Sequence, residues 1–321
     1  MNLPFSGVMP DVTTPFTATM AVDIHALTRQ VRLVLEHGCT GIIPCGSLGE
    51  EATLTVEEKT QVIATCIGSA EGAPVVPGIS AASTAEAVAL AITAERLGAA
   101  GLMVLPPTLP SSDWREASAH VTAIMRATTL PCMLCNNPEA YRHDFTPLQI
   151  SALALANGNL VAVRESSGDV RRISAILATP GNHLIVGVGV DDLLVEGISA
   201  GATFWVSGVA GALPADAVHF YNISRVPGPL RNDLMMWLLP LMRFSTGRRC
   251  VQSIKLVQER CGLFPARVRP PRLELTPAER DEAHVIIDAA LAGRPVLPRK
   301  QLRAAMKRSR HAWEPWLSGK S

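Results

Sequence analysis

Eight short runs of almost unbroken apolar residues recur along this chain, at 7–12, 41–45, 75–79, 101–105, 132–136, 160–164, 184–188 and 202–207. A strand with one wet face alternates apolar and polar residues, whereas a strand covered on both faces reads as a continuous apolar run. Between the runs lie helical stretches around 23–37, 55–68, 84–97, 113–127, 146–156, 169–177 and 191–199. Several helix starts carry side chains able to satisfy free backbone N–H groups: Thr55 with Glu58, Ser83 with Glu86, Thr146 with Gln149, and Thr276 with Glu279. Repeated strand–helix units cross over right-handedly, and eight of them close into a ring. The expected fold is therefore α/β, a (β/α)8 TIM barrel with a helical C-terminal region. An open doubly wound sheet is the alternative, but no Gly-x-Gly-x-x-Gly follows the first strand, which counts against a nucleotide-binding version.

Past residue 212 the pattern turns helical, at 214–225, 230–244, 248–261 and 277–292, with Pro and Gly clusters as breaks. The division expected is a barrel core at 1–212, C-terminal helices packed on it at 213–293, and a tail at 294–321. The tail holds eight basic residues against Glu314 alone, which leaves the preceding 293 residues with a net charge of about −6. Leu302, Met306 and Trp313 among those charges suit a short amphipathic helix lying on the body or on a neighbouring subunit, a reading preferred over contact with nucleic acid. Apolar runs are all cut before about 18 residues, so no membrane span is expected. Met-Asn-Leu-Pro-Phe lacks the basic and apolar segments of a signal peptide, and a cytoplasmic address is the expectation. Seven cysteines, an odd number lying mostly in apolar runs, argue against a disulfide framework. Cys132 and Cys135 fall three apart on a strand, where side chains point to opposite faces, so their C-x-x-C reads as core rather than redox or zinc chemistry.

In such a barrel the reactive groups come from the C-terminal ends of the strands and the loops after them. Those ends read Thr14-Pro15-Phe16, Gly46-Ser47-Leu48-Gly49-Glu50, Leu105-Pro106-Pro107, Asn136-Asn137-Pro138, Glu165-Ser166-Ser167-Gly168-Asp169, Gly189-Val190-Asp191-Asp192 and Gly208-Val209-Ala210-Gly211. With Ala52-Thr53-Leu54-Thr55 following the second, this set resembles the dihydrodipicolinate synthase and N-acetylneuraminate lyase family, in order, over about residues 5–292. The Asn-Asn-Pro and Glu-Ser-Ser-Gly-Asp-Val-Arg-Arg segments most resemble its pyrroline-4-hydroxy-2-carboxylate deaminase branch.

The resemblance implies a reaction in which a lysine at the end of the sixth strand condenses with the carbonyl of pyruvate or a related 2-keto acid. It implies a homotetramer or dimer as well. The position that matches the lysine is Arg164, whose guanidinium stays protonated at accessible pH and offers no free amine. The five lysines, Lys59, Lys255, Lys300, Lys307 and Lys320, all fall away from strand ends. The family's proton-handling tyrosines match Cys135 and Leu109 here, one of its hydroxyls matches Leu48, and Gly211 stands where relatives often have Asn.

What remains still suits a small organic anion. Ser47 and the backbone N–H groups of the loop from Gly46 to Gly49, with Leu48, are expected to hold a carboxylate, beside Gly208. Arg164 would pair with a carboxylate or polarise a keto oxygen; alternatively it is a structural arginine tied to Glu165 or Asp191. Cys135 is either an activated thiol beside the guanidinium or an apolar filler. Tyr141 is placed to enter the mouth from the loop after Pro138. Glu50 is expected to anchor its loop by hydrogen bonds. His143, Asp144 and the Asp191-Asp192 pair lack a consistent metal-ligand spacing, so neither metal nor cofactor is expected. Three functions fit: a remodelled lyase-family enzyme acting on a 2-keto or cyclic imino carboxylate through Arg164, Cys135 and Tyr141, a non-catalytic anion-binding or regulatory protein, and a structural partner of an active paralogue.

Overall fold

The computed structural model describes residues 3–109 and 113–295. Seven parallel strands pair in the order β1-β7-β6-β5-β4-β3-β2: β1 Gly7–Pro10, β2 Gly78–Ile79, β3 Leu102–Val104, β4 Cys132–Asn136, β5 Leu160–Glu165, β6 Ile185–Val188 and β7 Phe204–Ser207. The ring is closed by an eighth stave around Ile42 and Ile43, bridged to Asp11 on one side and Val75 on the other. Its ladder runs through Ile43 N–H to the Pro10 carbonyl at 2.9 Å and Val76 N–H to the Ile42 carbonyl at 3.0 Å. Prolines at 10, 44, 74 and 77 have no N–H to give, which is why three of the eight expected strands appear as short or interrupted segments.

The helices between the staves stand in their expected places, α1 Ile24–Glu36, α2 Val56–Ser69, α3 Thr84–Leu97, α4 Trp114–Arg126, α6 Pro147–Ala156, α7 Arg171–Leu177 and α8 Leu194–Ser199, with an additional one-turn helix, α5 Pro138–Tyr141, between β4 and α6. Thr55, Thr146 and Thr276 close reciprocal caps with Glu58, Gln149 and Glu279, and Ser83 accepts the Glu86 N–H. A further reciprocal cap joins Asp113 and Glu116 at the start of α4, and the one-turn helix α5 was not anticipated from the apolar pattern.

Apolar side chains divide into two layers. Phe5, Met9, Met103, Met133, Cys135, Phe204 and Val206 fill the inside of the ring, while Val8, Leu102, Cys132 and Val186 join the larger layer under the helices. Cys132 and Cys135 thus face opposite sides of their strand, and all seven cysteines are free. A Cβ on Gly187 would lie 2.2 Å from the Phe204 ring, so that glycine lets the aromatic plug cross the ring.

The C-terminal helices α9 Pro214–Ser224, α10 Pro229–Met242, α11 Cys250–Arg260 and α12 Pro277–Ala292 pack on the barrel. Trp237 Nε1 donates to the Ala290 carbonyl at 2.6 Å, tying α10 to α12. Of the basic tail, Arg294 is described and pairs with Asp216 at 2.7 Å; the expected helix bearing Leu302, Met306 and Trp313 lies outside the described residues. No helix among the described residues is long and apolar enough to cross a membrane.

Candidate active site

A cavity of about 550 Å³ opens at the C-terminal ends of the strands. Ser47 and Leu48 reach it from the loop after the eighth stave, Tyr141 from α5, Arg164 and Ser166 from the end of β5, Asp191 from the end of β6 and Gly208 from the end of β7. A further part of its wall comes from the connection between α10 and α11, Ser245 to Arg248, together with Cys250, Val251 and Arg272. The sequence reading placed no C-terminal residue at the site. The polar Ser245-Thr246-Gly247 break between two apolar helices is the signal that marks this connection.

Arg164 is the centre of the floor. It is 4% exposed, and its Nη1 donates to Asp11 Oδ2 at 2.9 Å, with the Met103 sulfur at 3.9 Å. Burial works against its charge, but the Asp11 carboxylate overrides that and keeps the guanidinium ionised. The expected structural partners were Glu165 and Asp191, and the structure corrects both. Glu165 instead accepts from Asn136, the Ser167 N–H and Arg172, while Asp191 accepts from Trp205 Nε1 at 3.0 Å and from the Gly208 and Val209 N–H groups. Burial pushes the Asp191 carboxyl up to about 6 in spite of those donors.

Asp11 was missed, although the sequence held a sign of it. It is an acid inside the apolar run 7–12, and a charge on a strand covered on both faces demands a partner. It is 1% exposed, and burial raises its carboxyl above the usual range against the pull of Arg164 and the Leu48 N–H. A Cβ on Gly46 would stand 2.3 Å from Asp11 Oδ1. Asp11 therefore lies against the loop from Gly46 to Gly49, close enough for the Leu48 N–H, which the sequence reading had left for a ligand, to act on its carboxylate. Gly46 is a contact surface for Asp11, and it does not line the cavity.

The rest of that loop is held from behind. Leu48 is 3% exposed and packs with Val251, Ile254 and Val268, so its side chain serves the junction with α11. Glu50, at φ 55°, receives the fully buried Lys255 ammonium, which also donates to the Thr14 and Arg267 carbonyls at 2.7 Å each. Glu50 additionally accepts the Arg269 N–H at 3.0 Å, as an anchoring residue should. Desolvation lowers the Lys255 ammonium to about 8. Lys59 donates to the Ser80 carbonyl at 2.6 Å; neither it nor Lys255 lines the cavity.

Tyr141 enters the mouth as expected, 8% exposed, because Asn137 caps the short helix that carries it and Arg142 turns the chain away at φ 63°. Its hydroxyl finds no hydrogen-bond partner among the described residues, and burial holds its proton on. Cys135 is fully buried inside the ring rather than on the cavity wall. Burial drives its thiol up to about 11, opposite to the lowering a guanidinium alone would cause. His143 and Asp144 are absorbed in the loop after β4: His143 stacks on Phe145 and Asp144 pairs with Arg172 at 2.9 Å. Among the described residues no group of His, Cys, Asp or Glu side chains is arranged to hold a metal ion.

Glu51 is the second residue that sequence reasoning passed over. It lines the cavity at 5% exposure, and burial pushes its carboxyl up to about 7 despite Lys59 nearby. Its neighbour Glu50 drew the attention because the loop motif ends there.

Residues 4–290 match the Dihydrodipicolinate synthetase family. A 4-hydroxy-tetrahydrodipicolinate synthase from Methanoculleus marisnigri is 30% identical over 288 residues, which cover 88% of this chain and 98% of the relative. The corresponding enzyme from Methanothrix thermoacetophila is 31% identical over 282 residues, 87% of this chain and 94% of its own. The crystal structure of dihydrodipicolinate synthase from Aquifex aeolicus superposes with a TM-score of 0.83 at 25% identity, covering 89% of this chain and 98% of the other.

Proposed function

The chain belongs to the dihydrodipicolinate synthetase family, and from that premise we propose that its cavity serves a small 2-keto or cyclic imino carboxylate by chemistry that forms no Schiff base at residue 164. The observation that carries this reading is Arg164 itself, buried on the cavity floor and locked to Asp11 at 2.9 Å. By resemblance it stands where relatives keep the condensing lysine. A guanidinium held ionised cannot attack a carbonyl carbon.

The roles follow from position and charge. Arg164 anchors a carboxylate or polarises a carbonyl oxygen through donors that Asp11 does not use. Ser47, Leu48 and Gly208 shape the wall, and Gly46 supports it through Asp11. Tyr141, whose proton is held on, acts as a donor; Cys135, with its thiol at about 11, fills the ring beneath. A pyrroline carboxylate already contains a C=N bond and asks for no enzyme amine, in keeping with the resemblance to the pyrroline-4-hydroxy-2-carboxylate deaminase branch. The proposal keeps the division at 1–212, 213–293 and 294–321, a cytoplasmic location and a homo-oligomer.

A second reading, a non-catalytic anion-binding member or partner of an active paralogue, is favoured by one observation: Tyr141 and Cys135 are both held protonated, so neither serves as a base. Calorimetry against keto, hydroxy and pyrroline carboxylates tests the pocket, and ammonia or aldehyde release from the ligand that binds separates enzyme from binder. Binding with release is the expected result. A pocket that takes none of these carboxylates contradicts the enzyme and the anion-binding member and leaves the structural partner.

A further inference from the structure

The cations and anions of the cavity are distributed unevenly. Arg142, Arg248 and Arg272 line it from the loop after α5 and from the C-terminal region, Arg272 lying 3.6 Å from Glu50, and Arg164 on the floor is matched by Asp11. Glu51 has no such match. Its carboxylate makes no salt bridge and no side-chain hydrogen bond among the described residues, and it is faced by the N–H groups of its own turn, at Glu51 and Ala52. Lys59 is the cation nearest in effect, but its ammonium is directed at the Ser80 carbonyl at 2.6 Å. Burial, which Lys59 offsets only in part and Asp11 adds to, pushes the Glu51 carboxyl up to about 7, because no cation contacts it directly. Such a group gains most from a ligand that brings the missing positive charge.

We propose that Glu51 is the receptor for a cationic nitrogen, so that the cavity takes an amino or imino acid with its nitrogen toward Glu51 and its carboxylate toward the arginines. This rests on the reading of the cavity as a small-carboxylate site and narrows it, selecting a zwitterion over a nitrogen-free keto acid. Asp11 strengthens the preference, because it cancels the charge of Arg164, while of the other buried acids on the wall Asp191 is satisfied by Trp205 Nε1 and the Gly208 and Val209 N–H groups and Glu50 by Lys255, which leaves Glu51 as the carboxylate with room for a cation. A charge-assisted hydrogen bond between an N–H⁺ and a buried carboxylate is about twice as strong as a neutral one.

Two rings of the same size test it by calorimetry at pH 8: pyrrolidine-2-carboxylate, which carries the cationic nitrogen, and tetrahydrofuran-2-carboxylate, which has an ether oxygen in its place. The nitrogen ring is expected to bind at least about tenfold more tightly. Glu51→Gln should bring it to the level of the oxygen ring and leave the oxygen ring within about twofold. Equal binding of the two rings to the unsubstituted protein overturns the proposal while leaving the carboxylate reading intact, and this comparison stands even where the variant does not fold. Discrimination that survives Glu51→Gln also overturns it. If neither ring nor pyruvate binds, the carboxylate reading fails and takes this proposal with it.

Discussion

Asp11→Ala should lower the stability of the protein by about 3 kcal/mol, and adding Arg164→Met should restore it to within about 1 kcal/mol of the starting value. The single change leaves a guanidinium that is 4% exposed without its carboxylate, 2.9 Å away in the structure. Breaking a buried ion pair from one side costs about 3–5 kcal/mol, and the low end applies because Arg164 faces a cavity on one side. Methionine removes the charge and keeps the length, beside Met103, which already contacts Nη1. Urea unfolding of the single and double variants measures both numbers. A single variant within about 1 kcal/mol of the parent would mean that Arg164 is solvated well enough to need no counter-ion, and the geometry of the floor would have to be redrawn.

Lys255→Met should cost about 3–5 kcal/mol, at the upper end of that range. Here both partners are fully buried, and the ammonium satisfies three acceptors: Glu50 and the carbonyls of Thr14 and Arg267. Removing it orphans two carbonyls and weakens the hold on Glu50, leaving Arg272 at 3.6 Å and the Arg269 N–H. Because Glu50 ends the loop that presents Ser47, the same variant should bind carboxylate ligands more weakly even under conditions where it stays folded. Urea unfolding and calorimetry on one preparation test the two effects together; unchanged stability would show that the Lys255 ammonium is not what holds the loop.

These two ion pairs also show where the sequence was legible. The eight-stave ring could be read because a strand covered on both faces leaves a local mark, an unbroken apolar run, and because helix caps lie three residues apart. The strand ends followed, and with them Ser47, Tyr141, Arg164 and Gly208 on the cavity. The partners of the charged residues did not follow. Asp11 and Arg164 are 153 residues apart, and Glu50 and Lys255 are 205 apart. Sequence proximity suggested Glu165 for Arg164, but consecutive strand residues point to opposite faces, and Glu165 is turned outward to Arg172. The alternation rule applied to Cys132 and Cys135 would have excluded Glu165 as well. Glu51 was hidden for a different reason: its importance lies in a cation it lacks, and a missing partner leaves no pattern in a chain.

With Arg164 in the lysine's place, no amine of this protein is expected to condense with a keto acid in the cavity. Borohydride reduction in the presence of pyruvate, followed by mass analysis of the intact protein and its peptides, addresses it directly. An unchanged mass and unmodified peptides around residues 59, 164 and 255 are the expected result. A reduced pyruvate adduct on Lys255, Lys59 or any other lysine of the chain would contradict it.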